Sequence, residues 1–169
     1  MQYETAHERY EKLKRVRSRL MVHFNRDDFD DYIQVANSLH DWIKTDPTVS
    51  REQRRGLESF VVPESVDWQI CHQLANTEKH RRPRLPKHRL TPFVKSVHYE
   101  PGKGRGVALP PSMKIIGAGD EITIDHDGGR TSGLSFVART FGQFYSIFEV
   151  IPIPLDQRVI TPLRHLLGV

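Results

Sequence analysis

The stretch NRDDFDDYIQVANSLHDWI, Asn25–Ile43, decides the fold class. Phe29, Ile33, Ala36, Leu39 or His40, and Ile43 recur at steps of three and four, which is the period of a helix with one buried stripe. Asn25 suits the N-cap, where its side-chain oxygen accepts an otherwise unpaired N–H. Asp27 and Asp28 place negative charge at the positive end of the helix dipole. Pro47 in KTDPT ends the helix, because it has no N–H and disfavours helical geometry at Asp46.

The same period extends outward on both sides. Tyr3, Ala6, Tyr10, Leu13, Val16, Leu20 and Phe24 predict a preceding helix, with Glu8, Glu11, Lys12, Arg15 and Arg19 on its other face. Downstream, Ser50 caps a short third helix bearing Leu57 and Phe60. A fourth helix starts near Pro63 and turns Val66, Ile70 or Cys71, Leu74 and Ala75 inward. It frays at His80 to Arg82, ahead of Pro83 and Pro86.

After Leu90 the period changes. FVKSVHY (93–99) reads as a strand, PGKGRG (101–106) as a loop, and MKII (113–116) and EITID (121–125) as separate short strands flanking GAGD. DHDGGR (125–130) is a turn signal. Thr131 opens the last long helix, where Leu134, Val137, Phe141, Phe144 and Phe148 form a stripe that outweighs the low propensity of Gly133 and Gly142. VIPIPLDQ (150–157) must be extended, and TPLRHLL (161–167) gives one short helical turn capped by Thr161.

The expected fold is therefore mainly α, a helical bundle of four to five helices with a small antiparallel β-arm inserted before the last long helix. It forms a single domain over 1–169: bundle from 1–90 and 131–149, β-arm 91–130, and an extended tail with a short helix over 150–169.

Composition narrows the function classes. The 169 residues are 27% charged, 37% apolar and carry a formal net charge of +4. Cys71 is the sole cysteine, so no intrachain disulfide forms and a cytoplasmic location fits. The N-terminus lacks the apolar run of a secretion signal, and no apolar stretch is long enough to span a membrane.

Chemistry-bearing residues gather on the second and fourth helices. His72, Asn76 and His80 lie four apart and share one drifting helix face. His40 and Asp41 meet them if the two helices pair. An imidazole exchanges protons near neutral pH, a carboxylate fixes its tautomer, and an amide orients a phosphate oxygen. The competing reading makes Asn76 a buried amide that holds helix register, with His40 and Asp41 a helix-pairing or surface pair.

SLHDWIK and WQICHQLANTEKH resemble a family of small, uncharacterised bacterial helical proteins with a "DW … AN..KH" pattern. The matching residues are Leu39, His40, Asp41 and Trp42, then Ala75, Asn76, Lys79 and His80. More distantly the chain is similar to the HEPN superfamily of helical bundles, whose active ribonucleases carry an arginine and a histidine separated by four to six intervening residues. Ala75 stands where that arginine belongs, and a methyl group stabilises no phosphate charge. The resemblance thus implies a helical fold, a HEPN-like homodimer and a non-catalytic member.

Arg81, Arg82, Arg84, Lys87 and Arg89 form an acid-free run suited to phosphate contacts on RNA or DNA. Lys12, Lys14, Arg15, Arg17 and Arg19 extend that surface if they share its face; the plainer reading is a solvated charged face. PGKGRG lacks the full phosphate-loop pattern and setting. Cys71, His72, His80 and His88 match no tetrahedral metal spacing, so no metal or cofactor is expected.

The expected function is a non-catalytic, HEPN-like protein that binds a macromolecule, with RNA or DNA favoured. One alternative is a metal-independent ribonuclease using His80, Asn76, His40 and Asp41, with Arg81 or Arg82 stabilising charge. The other is a protein–protein assembly module.

Overall fold

The computed structural model describes residues 4–60, 65–80, 94–110 and 114–150, and the side chains of residues 60 and 77–80 lie outside that description. Its described elements are mainly helical, with a small antiparallel sheet ahead of the last long helix. That is the architecture expected from the sequence.

Helix α1 spans Ala6–Val22. Thr5 and Glu8 cap it reciprocally: the Thr5 hydroxyl accepts from the Glu8 N–H at 3.2 Å, and the Glu8 carboxylate accepts from the Thr5 N–H at 2.6 Å. Helix α2 spans Arg26–Thr45 and begins as expected, with the Asn25 side chain accepting from the Asp28 N–H at 2.9 Å. Asp46 ends α2 and also holds the start of α1, accepting from the Ala6 N–H at 2.5 Å. Helix α3, Arg51–Phe60, is capped by Ser50 and Gln53 in the same reciprocal way. Helix α4 is Val66–His80.

The apolar stripes meet in one interior. Leu13, Val16 and Leu20 of α1 face Phe29, Ile33 and Leu39 of α2 among fully buried residues. Helix α5, Gly133–Tyr145, adds Phe136, Val137, Phe141 and Phe144, and a π-helical turn, Ser146–Val150, adds Ile147 and Phe148. Tyr10 stacks on Phe148 at 4.4 Å between ring centroids. Tyr32 reaches from α2 to Thr140 Oγ1 at 2.9 Å, which satisfies its buried hydroxyl. Each such aliphatic or aromatic side chain contributes about 1.5–3 kcal/mol through burial, and together they set the helix faces.

Strands β1 (Val94–Leu109), β2 (Lys114–His126) and β3 (Gly129–Ser132) form an antiparallel sheet in the order β1-β2-β3. Here several local expectations are corrected. PGKGRG is not a loop but lies inside β1, with a register shift between Glu100 and Gly104. MKII and EITID are not separate strands, since Lys114 to His126 runs as one. Glycines make this continuity feasible. A side chain at Gly104 would collide with the Asp120 carbonyl, and one at Gly106 with the Ile116 carbonyl. The turn signal at 125–130 does join two strands, with His126 opposite Gly129.

The sheet is fastened to the bundle between α1 and α2. The Phe24 N–H donates to the Ala118 carbonyl at 2.9 Å, and the Asp120 N–H donates to the Phe24 carbonyl at 2.6 Å. Two further expectations shift. Helix α5 is capped by Ser132 rather than opened by Thr131. Val66 is half exposed because it is the first residue of α4 and precedes the packed turn. The expected tail and short helix over 151–169 lie outside the described residues.

Candidate functional site at the seam of α2 and α4

Helices α2 and α4 are joined by a ladder of polar contacts. The Cys71 thiol donates to the Ile33 carbonyl at 3.8 Å, and Gln34 Nε2 donates to the Ala75 carbonyl at 3.1 Å. One turn further along α2, Asn37 Oδ1 lies 3.1 Å from His72 Nδ1. His72 Nε2 lies 3.0 Å from Asn76 Nδ2. With Asn76 donating to Nε2, His72 carries its proton on Nδ1 and gives it to Asn37. Both ring nitrogens and the Asn76 amide group are thus engaged across or along the seam.

His40 takes a different place. Its ring stacks on Trp68 of α4 at 4.0 Å with a 24° interplanar angle, and only 6% of the residue is exposed. Burial, reinforced by the Lys44 charge and opposed by Asp41, brings its pKa down to about 4. The imidazole is therefore neutral at pH 7. Asp41 Oδ1 is 3.6 Å from His40 Nδ1, beyond hydrogen-bonding distance, and its side chain is 80% exposed. His40 Nδ1 has no hydrogen-bond partner among the described residues.

The sequence-derived residues are therefore divided. His72 and Asn76 join in one chain of hydrogen bonds, and Asn76 is half-buried. His40 packs against Trp68 in the same seam, and Asp41 faces solvent. His80 ends α4, and its side chain lies outside the described residues. Arg81, Arg82, Arg84, Lys87 and Arg89 also lie outside them. Sequence reasoning missed Asn37 and Gln34 as members of the seam, whereas Trp68 packs between helices, as its size and place on α4 predict. Asn37 sits three residues before His40 on the same helix, a spacing that carries the signal once α2 and α4 are paired.

The chain enters and leaves the cationic segment at one helix. Residues 81–93 follow the last residue of α4, and the chain reappears at Val94, whose N–H donates to Gln73 Oε1 of α4 at 3.0 Å. Gln73 and His80 are separated by about 10 Å of helix rise.

The cations of α1 are largely occupied within the chain. Lys14 pairs with Glu11 at 2.6 Å and with Glu149 at 3.5 Å. Arg19 pairs with Asp28 at 2.7 Å and with Asp31 at 3.4 Å. Arg17 lies over the Phe141 ring at 4.4 Å. Lys12 and Arg15 are exposed.

A second polar cluster lies on the sheet. Ser96 Oγ is 2.9 Å and Asp125 Oδ2 is 3.0 Å from the same His98 nitrogen, Nε2. Arg130 Nε holds Asp125 Oδ1 at 2.7 Å, which keeps that carboxyl below its usual range. A nucleophilic triad requires serine and carboxylate on opposite imidazole nitrogens, so this arrangement gives cross-strand pairing instead. Burial pushes the Cys71 thiol up to about 12, which leaves no thiolate for nucleophilic attack at pH 7. Among the described residues no three His, Cys, Asp or Glu side chains group as metal ligands. Among the same residues no helix is long and apolar enough to cross a membrane.

Comparison of the chain with protein-family models, with curated proteins and with solved structures finds no match.

Proposed function

We propose that this protein is a non-catalytic, HEPN-like helical bundle that binds nucleic acid through the segment following α4. The supporting observation is where the charge lies. The chain has 25 Lys and Arg against 21 Asp and Glu. Residues 81–93 hold five of those cations, Arg81, Arg82, Arg84, Lys87 and Arg89, and none of the acids. The remaining chain therefore has 20 cations against 21 acids. All of the net positive charge resides in one stretch, which follows α4 and precedes Val94, whose N–H donates to Gln73 of α4. A phosphate backbone is the polymer that rewards such a run, through counterion release.

The seam supports the non-catalytic part. A neutral, stacked His40 and an Asn76 engaged with His72 are suited to holding two helices in register. The binding unit in this reading is a homodimer, which presents two cationic segments at once.

Fluorescence anisotropy with labelled RNA and DNA tests the proposal. The chain is expected to bind, and replacement of Arg81, Arg82, Arg84, Lys87 and Arg89 by Ser is expected to abolish binding while leaving the circular dichroism spectrum unchanged. RNA is expected to be recovered intact after incubation in chelator. Cleavage lost in His80→Ala would contradict the non-catalytic assignment, and sedimentation as a monomer would contradict the dimer.

A further inference from the structure

We propose that the β1–β2 hairpin is a second contact element, a two-stranded ribbon that enters the major groove of double-stranded DNA. This rests on the nucleic-acid reading above and narrows it to one substrate class. Residues 101–118 contain Lys103, Arg105 and Lys114 and no acid. Arg105 and Lys114 are exposed and have no ion-pair partner among the described residues, in contrast to Lys14, Arg19, Arg130 and Arg139. Lys103 is 3.5 Å from Glu100 and remains 69% exposed.

Two large aliphatic residues are exposed on the same part of the ribbon, Val107 at 44% and Ile115 at 59%. Register sorts them by face: Arg105 is opposite Ala118, Val107 opposite Ile116 and Leu109 opposite Lys114, so Val107 lies between Arg105 and Lys114 on one face, whereas Ile115, opposite Ala108, lies on the other. Arg105 and Lys114 flanking the exposed Val107 on one face match a groove whose walls are phosphates and whose floor carries thymine methyl groups.

The backbone gives this ribbon a set shape. Gly106 and Gly117 both have positive φ, +65° and +67°, and lie between the Arg105–Ala118 and Val107–Ile116 pairs. Both strands therefore bend at one level. A side chain at Gly117 would meet Leu134 of α5, and one at Gly119 would meet Phe24, so the base of the ribbon sits against the bundle. Acids are confined to that base, where Glu100 is opposite Glu121 and Asp120 accepts from the Gly102 N–H at 3.1 Å. Paired strands are about 4.8 Å apart, and the B-form major groove is about 12 Å wide and admits such a ribbon. The deep, narrow major groove of A-form RNA does not.

The test compares binding of the full chain to a DNA duplex of about 20 base pairs, to an RNA duplex of the same sequence, and to the single strands. The DNA duplex is expected to bind most tightly. The surface double variant R105S/K114S is expected to lower the slope of log affinity against log salt by roughly 2, one for each phosphate that the variant leaves unneutralised. V107S is expected to weaken duplex binding with the slope unchanged, and I115S, on the other face, to leave it unaltered. Equal binding of RNA duplex or single strands would overturn the inference, as would an unaltered slope in R105S/K114S. In either case, continued dependence on Arg81 to Arg89 would leave the function proposed above standing. Failure to bind any nucleic acid would overturn both. Hairpin-dependent capture on phosphatidylserine vesicles, with no capture on the duplex, would overturn the DNA assignment in favour of a lipid surface.

Discussion

His40 shows what burial does to a residue whose type suggests catalysis. In the unfolded chain its pKa is near the ordinary 6.5, and in the fold it is about 4. Between those values the unfolded state binds more protons, so stability is fully present above pH 6.5 and falls as the pH drops towards 4. The expected loss between pH 8 and pH 5 is about 2 kcal/mol in chemical denaturation. His40→Phe, which keeps a ring against Trp68, should remove that dependence, and a wild-type curve flat over this window would contradict the assignment. Asp46 acts in the opposite sense. Hydrogen bonds from the Ala6 N–H and from Thr48 outweigh its burial and lower its carboxyl pKa. Its stabilisation is present above the ordinary carboxyl range and is lost as pH falls through the lowered value. Asp46→Ala strands the Ala6 and Thr48 N–H groups and should cost about 2–3 kcal/mol in the same measurement at pH 7. Neither effect was legible at the level of single residues. Asp46 reads as the residue before a proline, and its bond to Ala6 spans 40 positions.

At the scale of elements, legibility followed the range of the interactions involved. The Asn25 and Ser50 caps and the stripes of α1, α2 and α5 depend on residues within one or two turns, and the structure reproduces them. The long hairpin depends on pairing across strands, and its Gly-rich middle carries a local signal for a loop. That local signal loses because glycine on both strands permits close approach and positive φ without a steric penalty. Gly119 makes the clearest case. It has φ +146°, and an added Cβ would run into the Phe24 backbone that fastens the sheet. Gly119→Ala is expected to cost at least about 2 kcal/mol. Hydrogen exchange should show reduced protection at the Phe24 and Asp120 amides, and a variant as stable as the wild type would contradict the proposed fastening.

Across the whole molecule, structure and charge are separated. Arg9, Lys14, Arg19, Arg26 and Arg139 of the helices pair with acids of the chain, and the sheet does the same at Lys95–Asp127 and Arg130–Asp125. The acid-free run remains at 81–93. This run was plain in the sequence, because net charge is read without coordinates. The sequence did not show that, in the other basic stretch, on α1, Arg19 is committed to acids of α2 and Lys14 to Glu149 of the π-helical turn. The seam was legible only in part: the spacing of His72 and Asn76 placed them on one face, but their partner Asn37 emerges only when α2 and α4 lie side by side. The most direct test of the account is the salt dependence of nucleic-acid binding by the intact chain. With five phosphate contacts from Arg81, Arg82, Arg84, Lys87 and Arg89, log affinity for single strands should fall against log salt with a slope of about −3.5, before any contribution from the hairpin. Substitution of all five by Ser should remove that component. Binding that is insensitive to salt, or a slope unchanged in the substituted chain, would contradict it.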